Sequence, residues 1–187
     1  AYVHCEVSGV TDHFAENDEH GVKKSTLSAV AAAKKLGGAI HGVILGKNLA
    51  KSAQDFAQYC DTVHVCEHEG LEHRLAQPYA KVIADVAKSI SATHVWAAAT
   101  VAGKDLFPRV AIRLNAAQAS DIQDVVNEST FLRPVWAGDL IGEIELLTAI
   151  KVITVRVSEF AASTKNAAAG RVQPFDVSLG ANGMRFV

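Results

Sequence analysis

Residues 42–48 (GVILGKN) are the first of three stretches whose residue types could bind a ligand. The glycines and Lys47 are faintly similar to a phosphate-binding loop, in which backbone amides and a lysine hold nucleotide phosphates. However, the spacing between the glycines is one residue short, and Asn48 stands where a serine or threonine would hold magnesium. The residues between the glycines have the composition of a strand, so we do not predict ATP binding through this motif.

The second stretch places His64, Cys66 and His68 at alternate positions, with His73 a few residues later. Alternate residues of a strand share one face, so three potential zinc ligands would lie together. A structural zinc site normally takes paired ligands from separate hairpins, and no second cluster is evident. The neighbouring glutamates are typical of a solvated strand end that leads into a loop. We therefore predict no metal site.

The third stretch contains Thr100, Gly103 and Lys104, directly after the apolar residues 94–99. Open α/β sheets bind ligands at the ends of their strands, and a helix that begins with a glycine and a lysine could receive an anion. The alternative is that Gly103 permits a tight turn and that Lys104 is solvated. The sequence has no GxSxG, no HExxH and no readable pair of catalytic carboxylates, so we assign no catalytic residue.

The elements that must position these stretches alternate between β-branched runs and helical patterns. We predict strands at residues 2–7, 40–45, 62–66 and 94–99, helices at 22–36, 49–56, 75–90 and around 107–114, and a polar loop at 8–21. The glycine pair Gly37 and Gly38 should end the first helix. This alternation predicts an α/β fold with a mainly parallel sheet and helices on both faces.

The pattern changes after Gln118, where residues 131–137, 140–147 and 151–157 are strand-like in succession. Gly138 and Asp139 between two apolar runs indicate a hairpin, so we expect an antiparallel β-hairpin region added to the sheet. Pro134 cannot donate a backbone hydrogen bond, and its strand should be an edge or be bulged there. Residues 158–174 are small and polar, typical of a linker or a surface arm. We therefore predict one domain at residues 1–157, and a linker with the start of a second domain at 158–187.

The composition excludes several classes of protein. A net charge of −2 and an aromatic content of 6% give no footprint for nucleic acid, and no apolar run reaches membrane-spanning length. The three cysteines (Cys5, Cys60 and Cys66) form no CxxC pair. We expect free thiols and a reducing compartment.

Residues 93–122 resemble the electron transfer flavoprotein alpha subunits. These subunits carry a strand, a loop of small residues and a helix motif that is matched here by GKDLFPRVAIRL, from Gly103 to Leu114, and then by Ser120, Asp121 and Ile122. The family's Pro-x-Tyr-Ala-Gly-Asn hairpin is similar to residues 134–139, although Trp136 and Asp139 replace its tyrosine and asparagine. The family's Val-x-x-Val-Arg strand is similar to residues 152–156. The resemblance covers roughly residues 2–160.

The resemblance implies a scaffold for a two-subunit electron carrier. In this family a C-terminal domain binds FAD, and no counterpart of its signature is present before Val187, so we expect this chain alone not to bind FAD. The implied partner is an electron transfer flavoprotein beta subunit, in which AMP can be bound. Acyl-CoA or other dehydrogenases would be the donors and a quinone reductase the acceptor. The implied compartment is the bacterial cytoplasm, with the mitochondrial matrix as the alternative.

Two residue roles and one competing function stay open on the sequence. Arg109 is either buried against Asp121 or placed at a subunit interface, and Trp136 is either a core residue or part of that interface. The competing hypothesis is a stand-alone nucleotide-binding α/β protein that holds AMP or ATP beside Thr100, Gly103 and Lys104. A nucleotide titration would separate the two functions.

Overall fold

Short apolar runs of this sequence form strands, and the amphipathic segments between them form helices that cover both faces of one sheet. The computed structural model describes residues 9–18 and 21–180. The strands are β1 (Val10–Phe14), β2 (Asn17–Asp18), β3 (Gly21–Val22), β4 (Ala39–Gly46), β5 (Thr62–Glu67), β6 (His94–Ala98), β7 (Ala117–Ile122), β8 (Asp124–Val125), β9 (Thr130–Val135), β10 (Leu140–Glu145), β11 (Lys151–Val155) and β12 (Arg171–Pro174). The helices are α1 (Lys24–Lys34), α2 (Ala50–Phe56), α3 (Ala76–Ser89) and α4 (Val101–Leu114).

Seven of these strands make the main sheet, in the order β12-β5-β4-β1-β6-β11-β7. All neighbouring strands in it are parallel. Every residue of β6 is buried, as expected for a strand covered on both faces. The predicted α/β fold with a parallel sheet and helices on both faces is therefore confirmed, and β6 lies inside the sheet rather than at an edge.

The helices divide the core into layers on the two faces of the sheet. The alanines and valines of α3 and α4 pack with Phe14, Leu45 and Val95 on one face. On the other face, α1 packs beside Trp96 and α2 beside Ile44. The glycine pair ends α1 as predicted, because Gly37 and Gly38 have φ of 72° and 83°, which glycine adopts without steric cost.

The prediction of a loop at residues 8–21 is wrong. Residues 10–14 form β1, which lies between β4 and β6 near the middle of the sheet. Val10, Thr11 and Phe14 favour a strand. Asp12 and His13 disguised it, because both are polar and yet fully buried. The predicted strand at residues 2–7 lies outside the described residues.

The predicted hairpin is confirmed as a small antiparallel sheet in the order β10-β9-β8. A short helical turn at Trp136–Gly138 joins β9 to β10. Strand β8 pairs only with Leu132 and Phe131, so among the described residues Pro134 has a strand partner on one side alone. The proline therefore lies where β9 is locally an edge, as predicted.

The strand predicted at residues 151–157 belongs to the main sheet and not to the hairpin. β11 lies between β6 and β7 in the main sheet and is parallel to both. Strand β7 was not predicted, because its residues (AQASDI) are poor strand formers. Its position depends on tertiary contacts, including a hydrogen bond of 2.9 Å from the Asp121 amide to Thr154 Oγ1.

Residues 158–170, which we call the strap, run along the α1 and α2 face. The amide of Ser163 donates to Leu27 O and that of Asn166 to Gln58 O. The chain then forms β12 beside β5. This agrees with the surface-arm interpretation, whereas the domain boundary at residue 157 stays a prediction.

The described residues after β12 lie against the first domain. Phe175, Val177 and Leu179 pack against the core on the α3 side of the sheet. The amide of Phe175 also donates to Val65 O at 2.9 Å. Residues 181–187 lie outside the described residues.

Candidate functional site

The strand order creates a crevice between the carboxyl ends of β1 and β6. From β1 the chain passes through α1 to β4 on one side, and from β6 it passes through α4 to β7 on the other side. The two connections diverge, which is the topological switch point where open α/β sheets bind ligands. Any site of the ordinary α/β type should therefore lie here.

The three predicted pocket residues meet at this crevice. Thr100 is the N-cap of α4, and its Oγ1 accepts a hydrogen bond of 3.1 Å from the Gly103 amide. Helix α4 therefore begins at Val101, before the helix predicted around residues 107–114. A Cβ on Gly103 would lie 2.0 Å from the carbonyl oxygen of Ala98, so only glycine lets the helix begin this close to the strand. The Lys104 side chain is exposed.

Glu16 fills the crevice with the chain's own carboxylate. The Thr100 hydroxyl donates to Glu16 Oε1, and Lys23 Nζ lies 3.5 Å from Glu16 Oε2. Glu16 is only 7% exposed. A negative group thus already stands beside the amino end of α4, where the helix dipole favours an anion. A phosphate at the same place would be repelled by Glu16.

The space that remains beside Glu16 is a cleft of about 60 Å³, bounded by Phe14, Tyr79 and Leu106. Arg74 closes it by donating a hydrogen bond to Asn17 O. Pockets for cofactors and drug-sized ligands have volumes of roughly 300–1,000 Å³. The cleft therefore has no room for AMP or ATP, and the stand-alone nucleotide-binding function is not favoured.

Buried polar residues lie directly below this crevice, in β1. Asp12 is completely buried, and neither of its carboxylate oxygens has a hydrogen-bond partner. Burial raises the pKa of Asp12 well above its ordinary value. His13 points to the opposite face, where its Nε2 lies 3.2 Å from Thr11 Oγ1 and its ring stacks on Trp96. Burial lowers the pKa of His13 to about 3, so the ring is neutral.

The structure places the predicted histidine and cysteine cluster in separate environments. His64 is buried, with its Nε2 at 2.9 Å from His41 Nδ1 and its Nδ1 at 3.1 Å from Gln173 Nε2. His68 Nδ1 accepts from the Gly70 amide instead. A search of residues 9–18 and 21–180 for groups of at least three metal-ligating side chains found none.

The described cysteines are both buried. Burial raises the pKa of Cys66 to about 12, and that of Cys60 is raised further, so neither thiol is activated. Cys60 and Cys66 are free thiols, which confirms the prediction for these two. Cys5 lies outside the described residues.

Asp121 is the centre of a charged cluster at the carboxyl end of β7. It has φ of 58° and interrupts the register between β7 and β11. Arg156 Nη2 donates to Asp121 Oδ2 at 2.7 Å. The pKa of Asp121 is lowered by this hydrogen bond and further by the charges of Lys104 and Arg133. Of the two alternatives left open for Arg109, burial against Asp121 is excluded, because Arg109 is exposed and pairs with Asp105 one turn away.

Trp136 is on the surface, at the end of the hairpin. Its side chain is 79% exposed, and Leu140 beside it is 58% exposed. The core interpretation of Trp136 is therefore wrong. Contiguous large apolar residues on a surface often mark a site of contact with another protein.

Among the described residues no helix is long and apolar enough to pass through a membrane.

Sequence reasoning missed Glu16, Asp12, Arg133 and Arg156. Glu16 was lost inside the segment interpreted as a loop, although the β-branched Val10 and Thr11 ahead of it were a usable strand signal. The two arginines come together with Asp121 only through the pairing of β7 with β11 and the packing of β9. No spacing in the sequence indicates that contact.

Comparisons with known proteins agree on one family. A model of the electron transfer flavoprotein domain matches residues 11–179. The electron transfer flavoprotein subunit alpha of Pseudomonas aeruginosa is 40% identical over 148 residues, which cover 78% of this chain and 47% of that protein. The mitochondrial electron transfer flavoprotein subunit alpha of Dictyostelium discoideum is 34% identical over 154 residues, 78% of this chain and 43% of that protein. The chain thus spans about half the length of the curated relatives it matches.

Proposed function

This chain belongs to the electron transfer flavoprotein domain family, and from that membership we propose that it is the N-terminal domain of an alpha subunit in a two-subunit electron carrier. The observation that carries the proposal is the match to alpha subunits along 148 residues. The closed crevice at Glu16 supports it, because a domain with no ligand cavity at its switch point is suited to a role as scaffold.

The cleft beside Glu16 does not fit FAD. A flavin needs donors for its pyrophosphate and a shaped apolar cavity for its ring. The cleft beside Glu16 has a volume of about 60 Å³, and Glu16 would repel a pyrophosphate there. We propose that the flavin is held by the part of the alpha subunit that corresponds to the other half of the relatives.

The proposed role of the domain is to position other components. Its partner would be the beta subunit of the carrier, in which AMP could bind, and the exposed hairpin end at Trp136 is a suitable contact. The donors would be acyl-CoA or other dehydrogenases, and the acceptor a quinone reductase or a similar protein. The proposed compartment is the bacterial cytoplasm, with the mitochondrial matrix as the alternative. In this role the domain breaks and makes no bonds itself.

The test is purification of the chain alone and together with the beta subunit from the same source, followed by absorbance spectra. We expect the chain alone to show no absorbance between roughly 350 and 500 nm, where a bound flavin absorbs. We also expect it to elute with the beta subunit when the two are mixed. A yellow chain with one flavin per molecule in the absence of the partner would overturn the proposal. Tight binding of AMP to the chain alone, abolished by Lys104→Ala, would favour the nucleotide-binding function instead.

A further inference from the structure

The chain after the strap forms an arm at one edge of the main sheet, which we call the edge arm (residues 171–180). Strand β12 is its first part, and among the described strands it pairs only with β5. Phe175, Val177 and Leu179 then pack on the α3 side of the core. All four residues of β12 are exposed, so the edge arm is attached to the domain through one strand pairing and a few apolar side chains.

The end of the edge arm is fixed on the surface by specific contacts. Gly70 leaves room for Leu179, since a Cβ at Gly70 would lie 2.5 Å from Leu179 Cδ1. Lys81 Nζ donates to the carbonyl oxygen of Ser178 at 2.5 Å. The edge arm is therefore docked in one position.

His64 is the buried residue that the edge arm covers. Its side chain is only 3% exposed. On the inner side, its Nε2 lies 2.9 Å from Nδ1 of His41, and the two rings stack at 5.2 Å between centroids. On the outer side, its Nδ1 lies 3.1 Å from Nε2 of Gln173, and the Phe175 ring stands edge-on at 6.5 Å. Both ring nitrogens are thus occupied, one of them by the edge arm.

The contacts of His64 require a neutral ring. An amide nitrogen only donates, so His64 Nδ1 accepts from Gln173 Nε2. The single ring proton is then on Nε2 and is donated to His41 Nδ1. A second proton, on Nδ1, would face the donor of Gln173. Rotation of the Gln173 amide by half a turn would give that proton an acceptor, but the positive charge would still be buried.

Burial opposes a positive charge on the pair, and the neighbouring titratable groups of the sheet do little to offset it. Burial and the charge of His41 together lower the pKa of His64 to about 4. The pKa of His41 is itself lowered by burial, although Asp61 acts in the opposite direction. Asp12 lies in register with His41 on β1, but burial raises the pKa of that carboxyl and opposes its ionisation. Burial also raises the pKa of the Cys66 thiol to about 12, so the thiol is neutral.

The charged groups on the other elements around the pair are paired or exposed. On α3, Lys81 pairs with Asp85 at 2.6 Å. The other titratable or charged groups of these elements are exposed, namely Lys88 on α3, Glu67 and His68 at the end of β5, and Arg171 and Asp176 on the edge arm. A proton on the buried ring is therefore stabilised best by water, which reaches the ring once the edge arm has left.

We propose that the His41–His64 pair is a proton-sensitive clasp, in which a proton on His64 releases the edge arm from the sheet. The clasp does not depend on the proposed function, since all of its contacts lie within this chain. The edge arm is the last described part of the chain, so the clasp controls the position from which the chain continues.

Docking of the edge arm should weaken as the pH falls. His64 has its ordinary pKa of 6.5 when the ring is in water, and its pKa is lowered to about 4 when the edge arm is docked. The contribution of His64 to docking is therefore fully present above pH 6.5 and is lost as the pH falls toward 4. Between about pH 7.5 and about pH 5.5, the equilibrium constant for undocking should rise about tenfold.

The experiment is hydrogen–deuterium exchange of this chain at those two pH values, with each exchange rate divided by that of an unstructured peptide at the same pH. The amides of Arg171 and Phe175, which donate to β5 and the residue before it, report the edge arm. The amides of β6 in the same samples report unfolding of the whole domain.

Two variants separate the titration of His64 from its packing. His64→Phe keeps an aromatic ring between His41 and Phe175 but cannot bind a proton, and His64→Gln removes the titration while it keeps a polar side chain. His13→Phe is the matched control, because it makes the same change at a buried histidine of β1, three strand positions from β12.

In the wild type and in His13→Phe, we expect the protection of the edge arm to fall about tenfold between the two pH values, with a smaller change in β6. In His64→Phe and His64→Gln it should change by less than about twofold, whatever its starting level. An equal loss of protection in the wild type and the His64 variants would overturn the clasp. So would an equal loss in β6 and the edge arm, or a wild-type edge arm whose protection is absent or does not change with pH.

Discussion

The hydroxyl of Thr100 donates a hydrogen bond to the carboxylate of Glu16 across the crevice between β1 and β6. The same oxygen accepts the hydrogen bond from the Gly103 amide that caps α4. One side chain therefore begins the helix and holds the carboxylate that occupies the switch point. The chain supplies internally the anion that related folds take from a ligand.

Thr100→Ala should lower the free energy of unfolding by about 1–2 kcal/mol, because it removes the N-cap of α4 and leaves the buried Glu16 without its donor. Urea unfolding followed by circular dichroism measures the change. Thr100→Ser keeps the hydroxyl and should lose less than half as much. Equal losses in the two variants would show that the hydroxyl is not what stabilises this site.

Asp12→Asn should remove a pH-dependent loss of stability. The folded pKa of Asp12 is raised above its ordinary value by burial, so the folded state keeps the proton that the unfolded state releases. Its contribution to stability is fully present below the ordinary pKa of 3.8 and is lost as the pH rises through the folded pKa. In unfolding experiments, the free energy of unfolding of the variant should therefore increase relative to that of the wild type as the pH rises from about 4 to about 8.

The control for this prediction is Asp176→Asn, which changes an exposed carboxylate just after β12. It should follow the wild-type curve at every pH. The three proteins differ only in these two carboxylates, so the difference between Asp12→Asn and the wild type reports the substitution at Asp12. A constant difference across the pH range would contradict the raised pKa.

His13 should lower the stability of the folded protein as the pH falls, whereas Asp12 lowers it as the pH rises. Its folded pKa is lowered to about 3 by burial, and nearby positive charges act in the same direction. The contribution of His13 to stability is fully present above the ordinary pKa of 6.5 and is lost as the pH falls toward 3. His13→Phe keeps an aromatic ring against Trp96 and removes the titrating group. The stability of the variant should therefore decline less than that of the wild type as the pH falls from about 6 to about 4. A parallel decline of the two proteins in urea unfolding would contradict the assignment.

Replacement of the two tryptophans should have very different effects on the free energy of unfolding. Trp96 is completely buried and Trp136 is 79% exposed. Trp96→Ala should lower the free energy of unfolding by about 3–5 kcal/mol, whereas Trp136→Ala should change it by less than about 0.5 kcal/mol. Acrylamide should strongly quench the fluorescence of the wild type but only weakly that of Trp136→Phe. A large stability loss for Trp136→Ala would contradict its place on the surface.

The sequence was sufficient to predict the strands and helices whose apolar positions are also their buried positions. Residues 94–99 (HVWAAA) predicted a central strand, and Gly37 and Gly38 predicted the end of α1. β1 was missed, although Val10 and Thr11 favour a strand, because Asp12 and His13 are polar and yet buried. β7 could not be predicted either, because Ala117–Ile122 become a strand only through pairing with β11.

The candidate site was only partly predictable, for a related reason. Thr100, Gly103 and Lys104 are adjacent in the chain, so their spacing was readable. Their partner Glu16 is 84 residues away from Thr100 and meets it only once the sheet has formed. Long-range juxtapositions of this kind leave no periodic trace in one sequence.

The position of β12 has a consequence for synthesis on the ribosome. Its Gln173 contacts His64 across 109 residues of intervening chain, so β5 has no outer neighbour until residue 174 has emerged. At roughly 5–20 residues per second, that delay lasts several seconds or more. During this interval the buried, β-branched β5 presents an open edge to other nascent chains. Strand β12 is thus the segment that closes this edge and ends its exposure.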